Sequence, residues 1–331
     1  MAFKITTAIL AAVLLLALAS CKMAGENASN ETLPESSDAP QSASSDPEPV
    51  PDIGRAIVDL PGVNAGNYPR VDGSTANMPL MAALYSSVCG VSMDEAETLV
   101  QTSGGTGAVW RNMMWEGADL LLVYEAPENI KAEMEEQGIL DQLEITPVGR
   151  DGLVFLINAQ NPVDNLTREQ LTGIYTGEIT DWSEVGGEEG PVAAFQRNLE
   201  SGSQTLFLGL LMQDIQPMEP PTELRPVGMG ALIDAVANYD GSGGAIGFSV
   251  YYYANLMYEN PGLKLLSVDG IAPSPESIGG GSYPLVNDFY AVIRKSEPED
   301  SPARLLRDFL LTDEGRKLMR DANYVPVEAV N

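Results

Sequence analysis

The chain has no histidine, only two cysteines and three tryptophans, and 18 lysines and arginines against 47 aspartates and glutamates. The missing histidine removes the Ser-His-Asp and Cys-His nucleophile pairs, most zinc sites and the usual general base near neutral pH. No metal or organic cofactor is expected. Cys21 ends an apolar N-terminal segment and Cys89 is the only other thiol; with Cys21 modified, an intramolecular disulfide is excluded. Cys89 lies in the apolar stretch Leu80 to Val91 and reads as a small buried hydrophobe. A formal net charge of −29 argues against nucleic acid as a partner. There is no internal repeat and no heptad pattern.

The ends are informative. Lys4 precedes an apolar run, Ile5 to Ala17, that closes in Leu18-Ala19-Ser20-Cys21. The run falls short of the ~20 residues that span a bilayer, so residues 1–20 read as an export signal. Leu-Ala-Ser-Cys resembles the lipobox of bacterial lipoproteins, which implies lipidation of Cys21 and attachment outside the cell membrane. Residues 21–55 are Ser, Glu, Pro, Asn, Ala and Asp with hardly an aliphatic side chain. Such a stretch cannot bury enough apolar surface to fold and is expected to be an acidic stalk. The remainder is long for one core and suits two lobes.

Within that remainder, strand-like apolar runs alternate with helix-like segments. Leu120 to Tyr124, Leu153 to Ile157, Ala245 to Val250 and Phe289 to Ile293 read as buried strands. Pro127 to Gln137, Thr167 to Tyr175 and Ser301 to Leu311 read as helices, the second opening on the capping-box pair Thr167 and Gln170. The alternation predicts an α/β fold with largely parallel sheets, in which ligands sit beyond the carboxyl ends of the strands.

Three segments share one chemistry. Arg197-Asn-Leu-Glu-Ser201-Gly202-Ser203 puts a cation and small hydroxyl residues ahead of the apolar helical stretch Leu206 to Met212. Asp72-Gly73-Ser74-Thr75 and Thr102-Ser103-Gly104-Gly105-Thr106 also precede helix-like stretches. A helix start leaves several backbone N–H groups unpaired and carries the positive end of the dipole. Hydroxyls and a guanidinium aimed at the same point make a pocket for a tetrahedral oxyanion. The global negative charge opposes this only weakly, because it is screened within ~10 Å at 0.1 M salt. Taken singly, Ser74 and Thr75 would merely cap a helix through Met81 to Ser86, and Arg197 would be a surface ion-pair partner.

From about Tyr68 to Val327 the chain resembles the phosphate-binding lipoproteins of bacterial ABC phosphate importers, a branch of the type 2 periplasmic binding proteins. The three segments above carry the likeness, with Gly149-Arg150-Asp151-Gly152-Leu153, Gly244-Ala245-Ile246-Gly247-Phe248 and Tyr324-Val325-Pro326-Val327 in support. The resemblance implies a two-lobe clamp with residues 56–150 and 246–331 in one lobe, 151–245 in the other, and the ligand between. It further implies that Thr75 donates its hydroxyl and Ala76 its N–H, and that Thr106 or Ser103 donates from the second loop. Arg197 would give paired guanidinium bonds, and Ser201, Gly202 and Ser203 would form the nest at the helix start.

Two positions depart from the family pattern. The family has an aspartate after the strand that follows the second loop, and it accepts the hydrogen of protonated phosphate, thereby rejecting sulfate. Here Glu125 is the nearest candidate acceptor, with Tyr124 as an alternative neutral donor. Leu199 stands where an acidic partner of the arginine is expected, and Glu200 is the candidate substitute. The implied function is capture of phosphate, without chemistry, for the permease subunits of an ABC importer. Sulfate, molybdate or a phosphonate is the alternative ligand, and a surface receptor or assembly subunit the alternative role. The run Tyr251-Tyr252-Tyr253 is expected to pack between lobe and hinge.

Overall fold

A computed structural model describes residues 58–240 and 244–328. The expected signal segment 1–20, Cys21 and the acidic stretch 21–55 lie outside the described residues. In chain order the strands are β1 Val71–Gly73, β2 Leu120–Val123, β3 Leu143–Asn158, β4 Asn165–Leu166, β5 Ala193–Ala194, β6 Ala245–Val250, β7 Leu263–Leu265, β8 Ser267–Val268, β9 Val286–Arg294 and β10 Val325–Pro326. The helices are α1 Met78–Cys89, α2 Met93–Leu99, α3 Thr106–Met114, α4 Glu128–Glu136, α5 Arg168–Thr176, α6 Gly202–Leu206, α7 Met229–Ala237, α8 Pro275–Gly279, α9 Pro302–Leu310 and α10 Asp313–Asp321. A π-helical segment, Phe207–Met212, continues α6.

One strand organises the rest. β3 passes through both halves of the main sheet, whose order is β1-β2-β9-β3-β6-β5. Leu143 to Gly152 lie opposite Arg294 to Val286 of β9, and Leu153 to Ile157 lie opposite Val250 to Ile246 of β6. The changeover falls at Asp151-Gly152. β7 also pairs with the second half of β3, whereas β10 pairs with the first. Gly149 sits where β3 bulges against β9. A Cβ there would stand 2.2 Å from the Phe289 ring, so the close approach needs glycine.

The four strand assignments are borne out, but the expectation of largely parallel sheets is not. β1–β2, β5–β6 and β4–β8 are parallel, whereas every pairing of β3 and the pairing of β2 with β9 are antiparallel. Leu120 to Val123 and Leu153 to Ile157 are buried on both faces. A run without alternation has no period from which strand direction could be read. The three helix readings hold, and Thr167 and Gln170 make both bonds of the capping box.

Two packing clusters place the helix starts. Phe207 stacks on Phe248 of β6 at 4.6 Å between centroids, and Tyr175 of α5 meets Phe207 edge-on at 4.7 Å. Fully burying each such ring stabilises by roughly 1.5–3 kcal/mol, which holds α6 and its π-helical extension against β6. On the other half, Trp110 of α3 is buried and its Nε1 donates to the Tyr124 carbonyl at 3.0 Å. That bond fixes α3 against the end of β2. Cys89 is half-buried at the end of α1 rather than in the core, and it is not disulfide-bonded. The thiol pKa is raised by burial. Among the described residues no helix is long and apolar enough to cross a membrane.

Candidate functional site

A cavity of about 450 Å³ lies between the two halves of the fold. Its walls are the beginnings of helices. Ser74 and Thr75 open the helical turn ahead of α1, Gly105 and Thr106 open α3, Ser201 to Ser203 open α6, and Gly228 to Gly230 open α7. A serine at such a position ordinarily caps its own helix by accepting from the second or third N–H. Neither Ser74 nor Ser201 makes that bond. The Ser74 hydroxyl instead meets the Thr106 hydroxyl at 3.0 Å and accepts from the Tyr124 N–H at 3.3 Å. The Ser201 hydroxyl meets that of Ser203 at 3.2 Å. The capping role is therefore unfilled, and the hydroxyls are gathered at the cavity wall.

Arg197 is the cation of the site. It is 7% exposed, and its N–H is fixed by Gln204 Oε1 at 2.8 Å. One guanidinium nitrogen, Nη2, donates to the Val227 carbonyl at 3.0 Å. Nε and Nη1 have no partner among the described residues. Burial brings the guanidinium pKa down to about 10, and Tyr253 offsets this in small part. A desolvated guanidinium without a carboxylate is costly, and unpaired buried donors are costlier still. An anion in the cavity would satisfy both.

Gly202 lets the two halves approach. A Cβ on it would lie 2.4 Å from Thr106 Oγ1, so any larger residue would push the α3 and α6 starts apart. Asp72 works behind the wall. It is buried and accepts from the Gly73 N–H at 2.8 Å, the Ser103 N–H at 3.0 Å and Asn112 Nδ2 at 2.7 Å. It thereby ties β1, the glycine-rich loop and α3 together.

Of the residues singled out in the sequence, Ser74, Thr75, Thr106, Arg197, Ser201, Gly202 and Ser203 line this one cavity. Ser103 does not; it lines a separate recess with Arg70, Asp72 and Asn112. Ala76 is fully buried outside the cavity lining, and its carbonyl accepts the Tyr324 hydroxyl at 2.6 Å.

Glu125 lines a neighbouring cavity of about 800 Å³ and pairs with Lys131 at 2.6 Å. Successive residues of an extended chain face opposite ways, so with Tyr124 on the side of the smaller cavity Glu125 faces away from it. Tyr124 does line the site, but its hydroxyl donates to Asp151 Oδ2 at 2.7 Å. Glu200, expected beside Arg197, is instead held by Arg111 at 2.7 and 2.8 Å.

Two contributors were not read as site residues in the sequence, where Tyr253 was expected only to pack between lobe and hinge. One is the start of α7, which lies behind Val227 and Gly228; a glycine ahead of the apolar run Ala231 to Val236 was the available signal. The other is Tyr253, which lines the cavity beside Arg197. Its neighbour Tyr252 fits the expected hinge packing. Tyr252 stacks on Tyr324 at 3.8 Å and donates its N–H to Asp151 at 3.2 Å.

Asp151, at the changeover in β3, also accepts from the Gly152 N–H at 2.7 Å. Burial raises its pKa to about 6 against the lowering effect of these bonds. Among the described residues no group of three or more His, Cys, Asp or Glu side chains could hold a metal ion.

Fold and cavity together define a two-lobe α/β protein with a ligand cleft between the lobes. A family model described as a PBP superfamily domain matches residues 64–313, and the chain belongs to that superfamily of binding proteins. It is 25% identical over 259 residues to a phosphate-binding protein, PstS, of Bacillus subtilis, covering 78% of this chain and 80% of that one. It is also 25% identical over 205 residues to PstS of Borreliella burgdorferi, covering 60% of this chain and 70% of the relative. Among solved structures, a phosphate ABC transporter substrate-binding protein from Clostridium perfringens shares the fold, with a TM-score of 0.60 and 23% identity. That match covers 78% of this chain and 98% of the other.

Proposed function

We propose that this protein is an extracytoplasmic solute-binding lipoprotein that captures phosphate and delivers it to the permease of an ABC importer. The observation that carries the reading is Arg197, buried with two guanidinium nitrogens, Nε and Nη1, unpartnered among the described residues at the edge of a cavity lined by four helix starts. Phosphate would take those donors together with the Ser74, Thr75, Thr106, Ser201 and Ser203 hydroxyls and the N–H groups around Gly202. Ala76 is fully buried and outside the cavity lining, so its N–H is a weaker candidate than the hydroxyls. No bond is made or broken; the ligand favours the state in which both lobes reach it.

The lobes divide within β3 at Asp151-Gly152. β6 and β7 pair with the second half of β3 and β8 pairs with β4, which supports a return of the chain with β9 rather than near Ala245. On this reading Cys21 carries the lipid anchor.

A second reading, capture of sulfate, molybdate or a phosphonate, is favoured by one observation. Glu125 faces away from the cavity, and Glu200, the one carboxylate residue along its described lining, is engaged by Arg111. Titration calorimetry of the ligand-stripped protein with phosphate and then sulfate decides between the readings. Binding of phosphate alone supports the first, binding of both supports the second, and binding of neither refutes an oxyanion site. Loss of the protein from the membrane fraction in Cys21→Ser tests the anchor.

A further inference from the structure

Glu200 crosses the cleft. It precedes Ser201 at the start of α6, on the β6 half, and its N–H donates to Asn198 of that half at 3.1 Å, yet its carbonyl and carboxylate partners belong to the other half. Its carbonyl accepts from the Gly107 N–H of α3 at 3.0 Å. Its carboxylate takes both guanidinium ends of Arg111, at 2.7 and 2.8 Å, and accepts from Asn129 Nδ2 of α4 at 3.1 Å. Arg111 is braced from behind by Glu133 at 3.3 Å. The Glu200 pKa is lowered, chiefly by Arg111, with burial opposing. Gly107 makes the approach possible, since a Cβ there would stand 2.9 Å from Glu200 Cβ.

We infer that Glu200 and Arg111 form a latch that stabilises lobe closure and slows ligand release. The inference rests on the two-lobe binding reading above. Glu200 is a positioning residue: its carboxylate is turned to Arg111, and it acts on the ligand by setting the population of the state in which Ser201 to Ser203 and Thr106 stand together. Apparent affinity scales with that population. A bidentate, charge-assisted pair is stronger than an ordinary surface pair, although half-exposure limits it. The direction of the effect is diagnostic. Removing a negative charge beside an anion site should tighten binding if only electrostatics matters, whereas removing a latch weakens it.

The test is a cycle of Glu200→Gln, Arg111→Gln and the double variant in the full protein. Phosphate binding and release rates are read alongside hydrogen exchange of the segment 105–114 in the unliganded protein. The latch predicts phosphate binding about 3- to 10-fold weaker in each single variant, through faster release, and the double variant no weaker than the weaker single one. It also predicts faster exchange at 105–114 in each variant, with the unfolding midpoint nearly unchanged.

Tighter binding in Glu200→Gln, additive losses in the double variant, or unaltered exchange would overturn it. If the wild type binds no phosphate, the transport reading fails, and exchange at 105–114 alone decides the latch.

Discussion

Replacing Arg197 by methionine separates function from stability, because the two should move in opposite directions. Methionine keeps most of the apolar stem and removes the guanidinium. Two donor nitrogens, Nε and Nη1, that have no partner among the described residues would be lost to the ligand. Hydrogen bonds involving a charged group are each worth about 1.5–3 kcal/mol, so the loss is about 3–6 kcal/mol. At 1.4 kcal/mol per decade this weakens phosphate binding by ~10²–10⁴. In the unliganded protein the balance reverses. A guanidinium whose pKa burial brings down to about 10 from its ordinary value costs on the order of 3 kcal/mol to keep charged, and methionine relieves it. The bond to the Val227 carbonyl is also lost, but Val227 is exposed and water replaces it. Each kcal/mol retained moves the midpoint by about 2–4 °C in a domain of this size. The assay is thermal unfolding of both proteins, stripped and then saturated with phosphate, beside calorimetric affinities. Near-wild-type affinity would remove Arg197 from the site. A lower unliganded midpoint in the variant would show that the guanidinium stabilises the fold rather than waiting for an anion.

Three further outcomes follow from the geometry. Gly202→Ala should cost at least ~10-fold in affinity by driving Thr106 from its place, at an overpacking cost of about 1–3 kcal/mol, while circular dichroism stays native. Glu125→Gln should leave the ratio of phosphate to sulfate affinity unchanged within about twofold, because Glu125 is spent on Lys131; a collapse of that ratio in calorimetry would return Glu125 to the site. Asp151→Asn should alter the acid limb of stability. The folded pKa of Asp151 is raised to about 6, so the folded state holds the proton more tightly and the strain of the buried charge is full above pH 6. It is relieved as pH falls towards the unfolded value of 3.8. Denaturant titrations should therefore find the stability difference between wild type and Asp151→Asn changing by about 2 kcal/mol between pH 4 and pH 6.5, in favour of wild type at low pH. A pH-independent difference would refute the assignment.

Local signals were legible in the sequence and long-range pairings were not. Thr167 and Gln170 specify their helix start within three residues, and Arg197 with Ser201 to Ser203 form a continuous segment. The strand runs were equally plain. The length of β3 was hidden because Pro147, Arg150 and Asp151 interrupt its apolar character, although the backbone stays extended through all of them. Its antiparallel neighbours are supplied from beyond residue 244, and no local pattern encodes that. Glu125 was misplaced for a smaller reason: one residue along an extended chain reverses the face.

The partner of Glu200 shows why proximity in sequence misleads at this site. A carboxylate three residues from Arg197 looks like its natural counterion, but such a pair would occupy the donors an anion needs. The structure instead sends Glu200 across the cleft to Arg111, which lies 89 positions away in the chain. Arg197 is left desolvated, with no carboxylate partner among the described residues, at a standing cost that an anion in the cavity would offset. The same placement reconciles anion capture with a net charge of −29. The one carboxylate residue on the described lining is held by its own arginine, the distant acids are screened, and the field inside the cleft comes from one guanidinium and four helix starts. Glu200 therefore contributes more to binding by being absent from Arg197 than it could by neutralising it.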